Sequence, residues 1–89
     1  MASVRLDAML KEFLPKVKLS SDAPSIEGIL VDLETRFPRL RFKLRDETGK
    51  VRPYVRVFVN GEEIEGLKGL ATPVGSADSV DILHSIQGG

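Results

Sequence analysis

Apolar and polar residues alternate in three segments of the chain, and this period of two predicts three β-strands. The segments are Ser3–Ala8, Tyr54–Val59 and Ser79–Ser85. The middle segment is the richest in β-branched and aromatic residues, and Asn60–Gly61 after it is a favoured two-residue hairpin turn. Weaker patterns predict two further short strands, one at Val17–Leu19 and a return strand anchored by Ile64.

A different spacing marks the stretch before Pro38. Apolar residues recur there every three or four positions, which places them on one stripe of an amphipathic helix. The stripe consists of Ile26, Ile29, Leu30, Leu33 and Phe37. The turn cluster Ser20–Ser25 supplies candidate N-caps, and Pro38 ends the helix at Phe37. Glu34 lies off the stripe, so we expect its replacement to change little.

Three connecting stretches have no single clear period. Residues 9–15 form a connection, and residues 39–52 suit either an edge strand or a short helical turn, followed by a turn at Asp46–Gly49. Residues 65–75 form a loop whose Leu67, Leu70 and Val74 are expected to plug the core. The element order is strand, strand, helix, strand, short strand, strand. It predicts an α+β fold in which one face of the sheet packs on the helix.

Composition narrows the function classes. The 89 residues provide one domain with a small core, and 13 basic residues balance 13 acidic ones. There is no cysteine and only one histidine, His84, so we expect no thiolate nucleophile and no metal site. No apolar run approaches the length of a membrane span and no signal peptide is apparent, so we expect a cytoplasmic protein without a membrane partner.

The charges are nevertheless polarised along the chain. Residues 36–56 carry eight cations and two acids, a local net charge of +6, whereas residues 57–89 carry one cation and five acids, a net of −4. A basic stretch suits an RNA-binding surface, a protein-docking surface, or simply a solvated face of the domain. The stretch lacks an evident aromatic stacking platform, so nucleic acid is not expected among the partners.

The alternation within the middle strand separates two faces. Val55, Val57 and Val59 share the face expected to meet the helix, and the other residues share the outer face with Leu83, which is out of phase with Val80 and Ile82. The candidate docking patch on this outer face comprises Tyr54, Arg56, Phe58, Leu83 and Ile86. The alternative is a second small core beneath the loop at residues 65–75.

The last strand leads directly into Gln87, Gly88 and Gly89. Two glycines contribute nothing to packing, but they form a thin, flexible thread that reaches roughly 10 Å and can enter a channel too narrow for a Cβ. The pattern therefore favours a domain at residues 1–86 and a tail at 87–89 that presents the Gly89 carboxylate to another protein. The alternative is an ordinary frayed terminus.

Four features together resemble the ThiS/MoaD sulfur-carrier family. They are the helix with Pro38, the segment Val57–Glu62, the loop Gly69–Pro73, and Asp78-Ser79-Val80 ahead of the terminal Gly88-Gly89. The resemblance implies a ubiquitin-like β-grasp fold, with a mixed sheet of four to five strands packed on one main helix. Two departures from the family leave the pathway open. The segment Asp46–Arg52 makes the connection between helix and central strand longer than in the molybdopterin-synthase small subunits, and His84-Ser85 stands where many relatives have prolines.

The resemblance also implies a mechanism without catalysis by the chain itself and without a bound cofactor. An E1-like enzyme uses ATP to adenylate Gly89, and a sulfurtransferase then converts the adenylate to a thiocarboxylate. The resemblance implies that the sulfur passes to an enzyme such as the molybdopterin synthase large subunit or a cysteine synthase, or enters a pathway that produces thiolated tRNA. Two alternatives stay open, a modifier joined through Gly89 to lysines of other proteins and a non-covalent β-grasp interaction domain.

Overall fold

The computed structural model describes residues 1–7, 10 and 18–84. Five strands form one sheet with the order β2-β1-β5-β3-β4, and they span Ala2–Leu6 (β1), Leu19–Ser21 (β2), Val55–Val59 (β3), Glu62–Glu63 (β4) and Ser79–His84 (β5). Strand β5 lies at the centre, parallel to β1 and antiparallel to β3, so the sheet is mixed. The main helix, α1, spans Ile26–Arg36. The α+β architecture and the element order are confirmed.

Helix α1 begins and ends where the pattern predicts. The hydroxyl oxygen of Ser25 accepts a hydrogen bond from the backbone N–H of Gly28 at 3.1 Å, which satisfies a donor at the helix start. The backbone N–H of Phe37 donates to the carbonyl of Leu33 at 2.8 Å at the other end. The apolar stripe is confirmed, since its first four members are completely buried and Phe37 packs against them.

The core lies between this stripe and one face of the sheet. Strand β3 contributes Val55, Val57 and Val59, and the neighbouring β5 contributes Val80 and Ile82; all five are buried. The side chains of Val4 and Leu6 from β1 extend the same face. The predicted inward face of the middle strand is therefore confirmed.

The second strand lies two residues later than predicted. Ser20 and Ser21, expected in a turn, belong to β2, and Ser21 pairs with Ala2. Ser21 is buried because its hydroxyl donates a hydrogen bond of 2.6 Å to the Asp32 carboxylate. Of the predicted strand only Lys18 and Leu19 lie in the described part, and within the predicted connection 9–15 only Leu10, which is buried, is described.

Residues 39–52 do not form an edge strand. A 3-10 turn spans Pro38–Leu40, and Leu40 and Leu44 are both completely buried, so the alternative of a short helical turn is the correct one. Phe42 points away from the core, and 51% of its surface is exposed. The turn at Asp46–Gly49 is confirmed: the Asp46 carboxylate accepts hydrogen bonds from the backbone N–H groups of Thr48 and Lys50.

The hairpin between β3 and β4 has the predicted turn. Asn60 and Gly61 have φ angles of 50° and 87°, the left-handed pair that a tight hairpin requires. The return strand is Glu62–Glu63, and Ile64 is buried at the start of a 3-10 turn rather than within the strand. Within the described residues, no helix has both the length and the apolar character needed to cross a membrane.

The loop at residues 65–75 covers the helix side of the sheet. The Thr72 carbonyl accepts from the backbone N–H of Ile26 at 3.0 Å, and the backbone N–H of Val74 donates to the carbonyl of Pro24 at 2.9 Å. Val74 is buried and Leu70 packs against the core, as predicted. Leu67 is 39% exposed, so the prediction that it packs in the core is wrong. Because the loop is anchored to the start of α1 and leaves Tyr54 and Leu83 exposed, the alternative that the outer-face residues form a second small core beneath this loop is wrong.

Candidate functional site

The candidate site begins where the central strand ends. Strand β5 pairs with β1 from Ser79 to Ile82 and with β3 as far as His84. Ile86, Gln87, Gly88 and Gly89 lie outside the described residues, and Gly89 follows His84 by five positions. At about 3.5 Å per residue, Gly89 is within roughly 17 Å of His84. His84, which is called the tail base below, is therefore fixed at the end of the central strand.

Asp7 ties this base to the neighbouring strand. Its backbone N–H donates to the Ile82 carbonyl at 3.2 Å, which adds one bond beyond the end of β1. Its carboxylate then accepts hydrogen bonds from the backbone N–H groups of His84 and, at 3.2 Å, of Leu10. A side chain thus does for His84 what the next main-chain carbonyl of a longer β1 would do.

The other side of the tail base is an aromatic contact. The rings of Tyr54 and His84 lie 4.8 Å apart between centroids, at an interplanar angle of 52°. Such a tilted arrangement is a favourable ring geometry. Tyr54 immediately precedes β3, and Val55 lies opposite His84. The last described residue of the chain is therefore held from β1 by Asp7 and from the β3 side by Tyr54.

The predicted docking residues share the outer face of the sheet. Leu83 lies directly opposite Arg56 on the neighbouring strand, and Phe58 lies opposite Asp81. Leu83 is 42% exposed and Tyr54 38% exposed, so the outer face presents an open apolar surface. A groove of about 470 Å³ runs between Phe58 and Leu83 on one side and Arg5 on the other. The placement of the four described members is confirmed; their role in docking stays a prediction.

Ion pairs border this apolar surface. Arg5 makes two hydrogen bonds to the Asp81 carboxylate, at 2.7 and 3.2 Å, and Arg56 contacts Glu63 at 2.8 Å. The pKa of the Arg5 guanidinium is raised, first by its hydrogen bond to Asp81 and then by the charge of that carboxylate. Exposed pairs of this kind add little stability. They place charged side chains directly beside the apolar residues of the outer face, since Asp81 lies opposite Phe58 and Arg56 opposite Leu83.

The sequence patterns missed three residues of this region. Arg5, Asp7 and Asp81 line the groove, but no local spacing connects the first two with the third. Arg5 and Asp81 are 76 positions apart and meet because β1 and β5 are parallel neighbours. These residues lie on predicted strands, but only the strand order shows that the two strands are neighbours. No group of three or more metal-binding side chains occurs among residues 1–7, 10 and 18–84.

The fold and the central C-terminal strand define a ubiquitin-like β-grasp protein. The crystal structure of Mycobacterium tuberculosis CysO superposes with a TM-score of 0.86 at 26% identity, covering 97% of this chain and 100% of that one. A chain of the Amycolatopsis orientalis BexX/CysO complex has the same fold, with a TM-score of 0.88 at 23% identity and full coverage of both chains. The predicted β-grasp fold is confirmed.

Sequence comparison gives the family. The model of the ThiS family matches residues 4–89, so the chain belongs to the ThiS family. The sulfur carrier protein CysO of M. tuberculosis is 32% identical over 73 residues, which are 80% of this chain and 78% of that protein. Small archaeal modifier protein 3 of Haloferax volcanii is 32% identical over 68 residues, 76% of this chain and 73% of that protein. The suspected family is confirmed, and its members include both sulfur carriers and ubiquitin-like modifiers.

Proposed function

We propose that the chain is a sulfur carrier whose Gly89 carboxylate is adenylated by an E1-like enzyme and then converted to a thiocarboxylate. The observation that carries the proposal is the end of β5: a strand bonded on both sides leads, after His84, into a segment that the ThiS family model matches through Gly89. This arrangement supports a rigid body that presents a short tail to another protein's active site.

The chemistry requires activation from outside the chain. A carboxylate is a poor electrophile, so one of its oxygens attacks the α-phosphate of ATP, forming an acyl adenylate and releasing pyrophosphate. A sulfur nucleophile delivered by a sulfurtransferase then attacks the acyl carbon and displaces AMP, which leaves the thiocarboxylate. The chain contributes the reacting carboxylate, its position and its recognition, and the partner enzymes contribute ATP and sulfur.

The outer face is the proposed docking surface for these partners. Phe58 and Leu83 provide the apolar centre, and Arg56 and Tyr54 lie beside them, next to the tail base. Ile86, the fifth predicted member, lies outside the described residues. A partner that covers this face also lies beside His84 at the end of β5, five residues before Gly89, so docking and delivery of Gly89 would be coupled.

A second candidate function is conjugation to proteins. The identity with small archaeal modifier protein 3 favours it. The two functions share the adenylation of Gly89 and differ in the acceptor, which is sulfur in one and a lysine amine in the other. For the sulfur-carrier function the sulfur passes to an enzyme such as a molybdopterin synthase large subunit or a cysteine synthase, or to an enzyme that produces thiolated tRNA.

Mass spectrometry separates these functions. The chain is incubated with its E1-like enzyme, ATP and a sulfurtransferase, and the intact product is weighed. A carrier gains the mass difference of one sulfur replacing one oxygen, and the peptide that contains Gly89 carries the change. An isopeptide between Gly89 and lysines of other proteins in cell extract, without any thiocarboxylate, would instead identify a modifier.

A further inference from the structure

The segment that joins α1 to β3 exposes an aromatic ring from a strained backbone. Phe42 has a φ of 65°, a conformation that bulky residues rarely adopt, and about half of its surface is exposed. Leu40 and Leu44 on either side are completely buried, so they fix the segment with Phe42 directed outward. A ring that is held in strain and only half buried gains little from the fold itself, which points to a contact outside it.

Phe42 lies in a basic stretch of the sequence. Residues 37–45 contain four cations and no acid. Arg45 is paired with Glu34 at 2.8 Å, but no carboxylate of the described residues lies within ion-pair distance of Arg39 or Arg41, which are both exposed. The guanidinium of Arg41 lies 5.4 Å from the centroid of the Phe42 ring, within cation–π range. Arg39, Arg41 and Phe42 are called the Phe42 patch below.

Hydrogen bonds connect the Phe42 patch with the base of the tail. The Nε of Arg52 donates to the Phe42 carbonyl at 2.8 Å, which holds the strained residue in place. The Arg52 carbonyl accepts from the backbone N–H of Val55 at 2.9 Å, and Val55 lies opposite His84. The patch therefore lies at the end of the sheet from which the tail leaves.

We propose that the Phe42 patch is a second docking surface, which binds an acidic surface with an apolar pocket on the enzyme that activates Gly89. This inference rests on the proposed function and deepens it. Aromatic and arginine side chains supply most hot spots of protein interfaces, and unpaired cations speed encounter with an acidic partner. A protein is favoured over RNA because single-stranded RNA needs several aromatic rings in a row, and here one ring is already covered on one face by Arg41.

The test replaces Phe42 with glycine. Glycine relaxes at a φ of 65°, so Phe42→Gly should keep or raise the melting temperature. In ATP–pyrophosphate exchange with the cognate E1-like enzyme, we expect the KM for the carrier to rise about tenfold with kcat unchanged, as for loss of an aromatic hot spot. A merely structural Phe42 would give the opposite result, a lower melting temperature with an unchanged KM.

The charges are tested by the double variant Arg39→Glu/Arg41→Glu. We expect a higher KM and a weaker dependence of KM on salt, because the attraction that salt screens is lost. Leu67 and Lys68 offer a matched control, since they place an exposed apolar side chain beside an exposed cation in another loop. The variant Leu67→Gly/Lys68→Glu should leave the exchange kinetics unchanged; an equal rise in its KM would overturn the assignment to the patch.

Two further arms separate the possible failures. If a chain without Gly89 is inactive but Phe42→Gly has the parent KM, the second docking surface is wrong and the proposed function stands. If the chain without Gly89 is fully active, the proposed function itself is wrong. A labelled single-stranded oligoribonucleotide is the third probe: binding that Phe42→Gly abolishes, together with an unchanged KM, would replace the protein partner by nucleic acid.

Discussion

The backbone N–H of His84 donates a hydrogen bond to the carboxylate of Asp7. The contact joins the end of the central strand to the residue that follows β1, across 77 positions of sequence. It fixes His84, the last described residue, at the end of the central strand. A carrier that must place a carboxylate in another protein's active site needs such a fixed base.

Replacement of Asp7 by alanine should therefore destabilise the fold. The His84 N–H loses its acceptor, and an unsatisfied, partly buried donor costs about 1–3 kcal/mol. Urea unfolding measures the change. Asp22, which is exposed in the turn before α1, is the matched control, and Asp22→Ala should have little effect. Equal effects of the two substitutions would contradict the role given to Asp7.

Leu30→Ala should be more damaging, because Leu30 is completely buried at the centre of the helix stripe. Loss of its side chain leaves a cavity and should cost about 2–5 kcal/mol. The adjacent Val31 is 45% exposed, so Val31→Ala should cost much less. Thermal unfolding of both variants checks the phase of the helix, and similar melting temperatures would show that the phase is wrong.

Acid should weaken the start of β5. Hydrogen bonds from the Gly75 backbone N–H and then from the Asn60 side chain lower the pKa of Asp78. A carboxylate with a lowered folded-state pKa stabilises the protein above its unfolded value of about 3.9, and this contribution disappears as the pH falls through the folded value. As the pH falls from about 5 to below the folded-state pKa of Asp78, the Asp78→Asn variant should therefore lose less stability than the parent chain. An identical acid profile for the two proteins would refute this assignment.

Leu83→Glu should weaken docking without unfolding the protein. Leu83 is an exposed member of the outer-face patch, so a charge there is well solvated in the free chain but opposes an apolar partner surface. We expect a higher KM for the carrier in ATP–pyrophosphate exchange. Val31 is similarly exposed but lies on α1, on the other layer, so Val31→Glu is the control and should leave the KM unchanged.

The sequence predicted the elements with the strongest periods. The stripe from Ile26 to Leu33 and the alternation in β3 each require one buried face, and both are present as expected. The turn at Asn60–Gly61 is local chemistry, because few residues tolerate two successive left-handed conformations. These features depend on neighbours in sequence, so the pattern was sufficient.

Features that depend on distant partners were missed. Ser21 belongs to the predicted turn cluster Ser20–Ser25, but pairing with Ala2 and the hydrogen bond to Asp32 place it in a strand instead. Glu34 was expected to matter little, yet it binds Arg45 through two hydrogen bonds, at 2.8 and 3.2 Å, with both side chains mostly buried. Its removal would leave a partly buried guanidinium unpaired, so Glu34→Ala should now be destabilising.

The candidate site divides in the same way. The outer-face placement of Phe58 and Leu83 follows from strand phase and was predictable. The hydrogen bond between Asp7 and His84 depends on where β1 ends, and the exposure of Phe42 depends on the burial of the leucines on either side of it. Neither feature follows from a local period in the sequence. The tail residues Gln87, Gly88 and Gly89 lie outside the described residues, so their role stays a prediction.

The tail itself offers a test of length and one of shape. Deletion of Gly89 leaves a carboxylate on Gly88, roughly 3.5 Å short of its former reach. Gly88→Val keeps the length but adds a β-branched side chain that stiffens the thread and widens it. We expect both changes to block adenylation and to leave the unfolding free energy unchanged.

The most direct measurement is ATP–pyrophosphate exchange by the cognate E1-like enzyme with the chain that lacks Gly89, compared with the full chain. Reacting atoms must be placed within a fraction of the lost reach, so the account predicts no exchange above background at any carrier concentration. Melting curves of the two chains should coincide, which excludes unfolding as the cause. Normal exchange by the shortened chain would contradict the requirement for Gly89, whereas no exchange with the full chain either would leave a non-covalent interaction domain as the account of this protein.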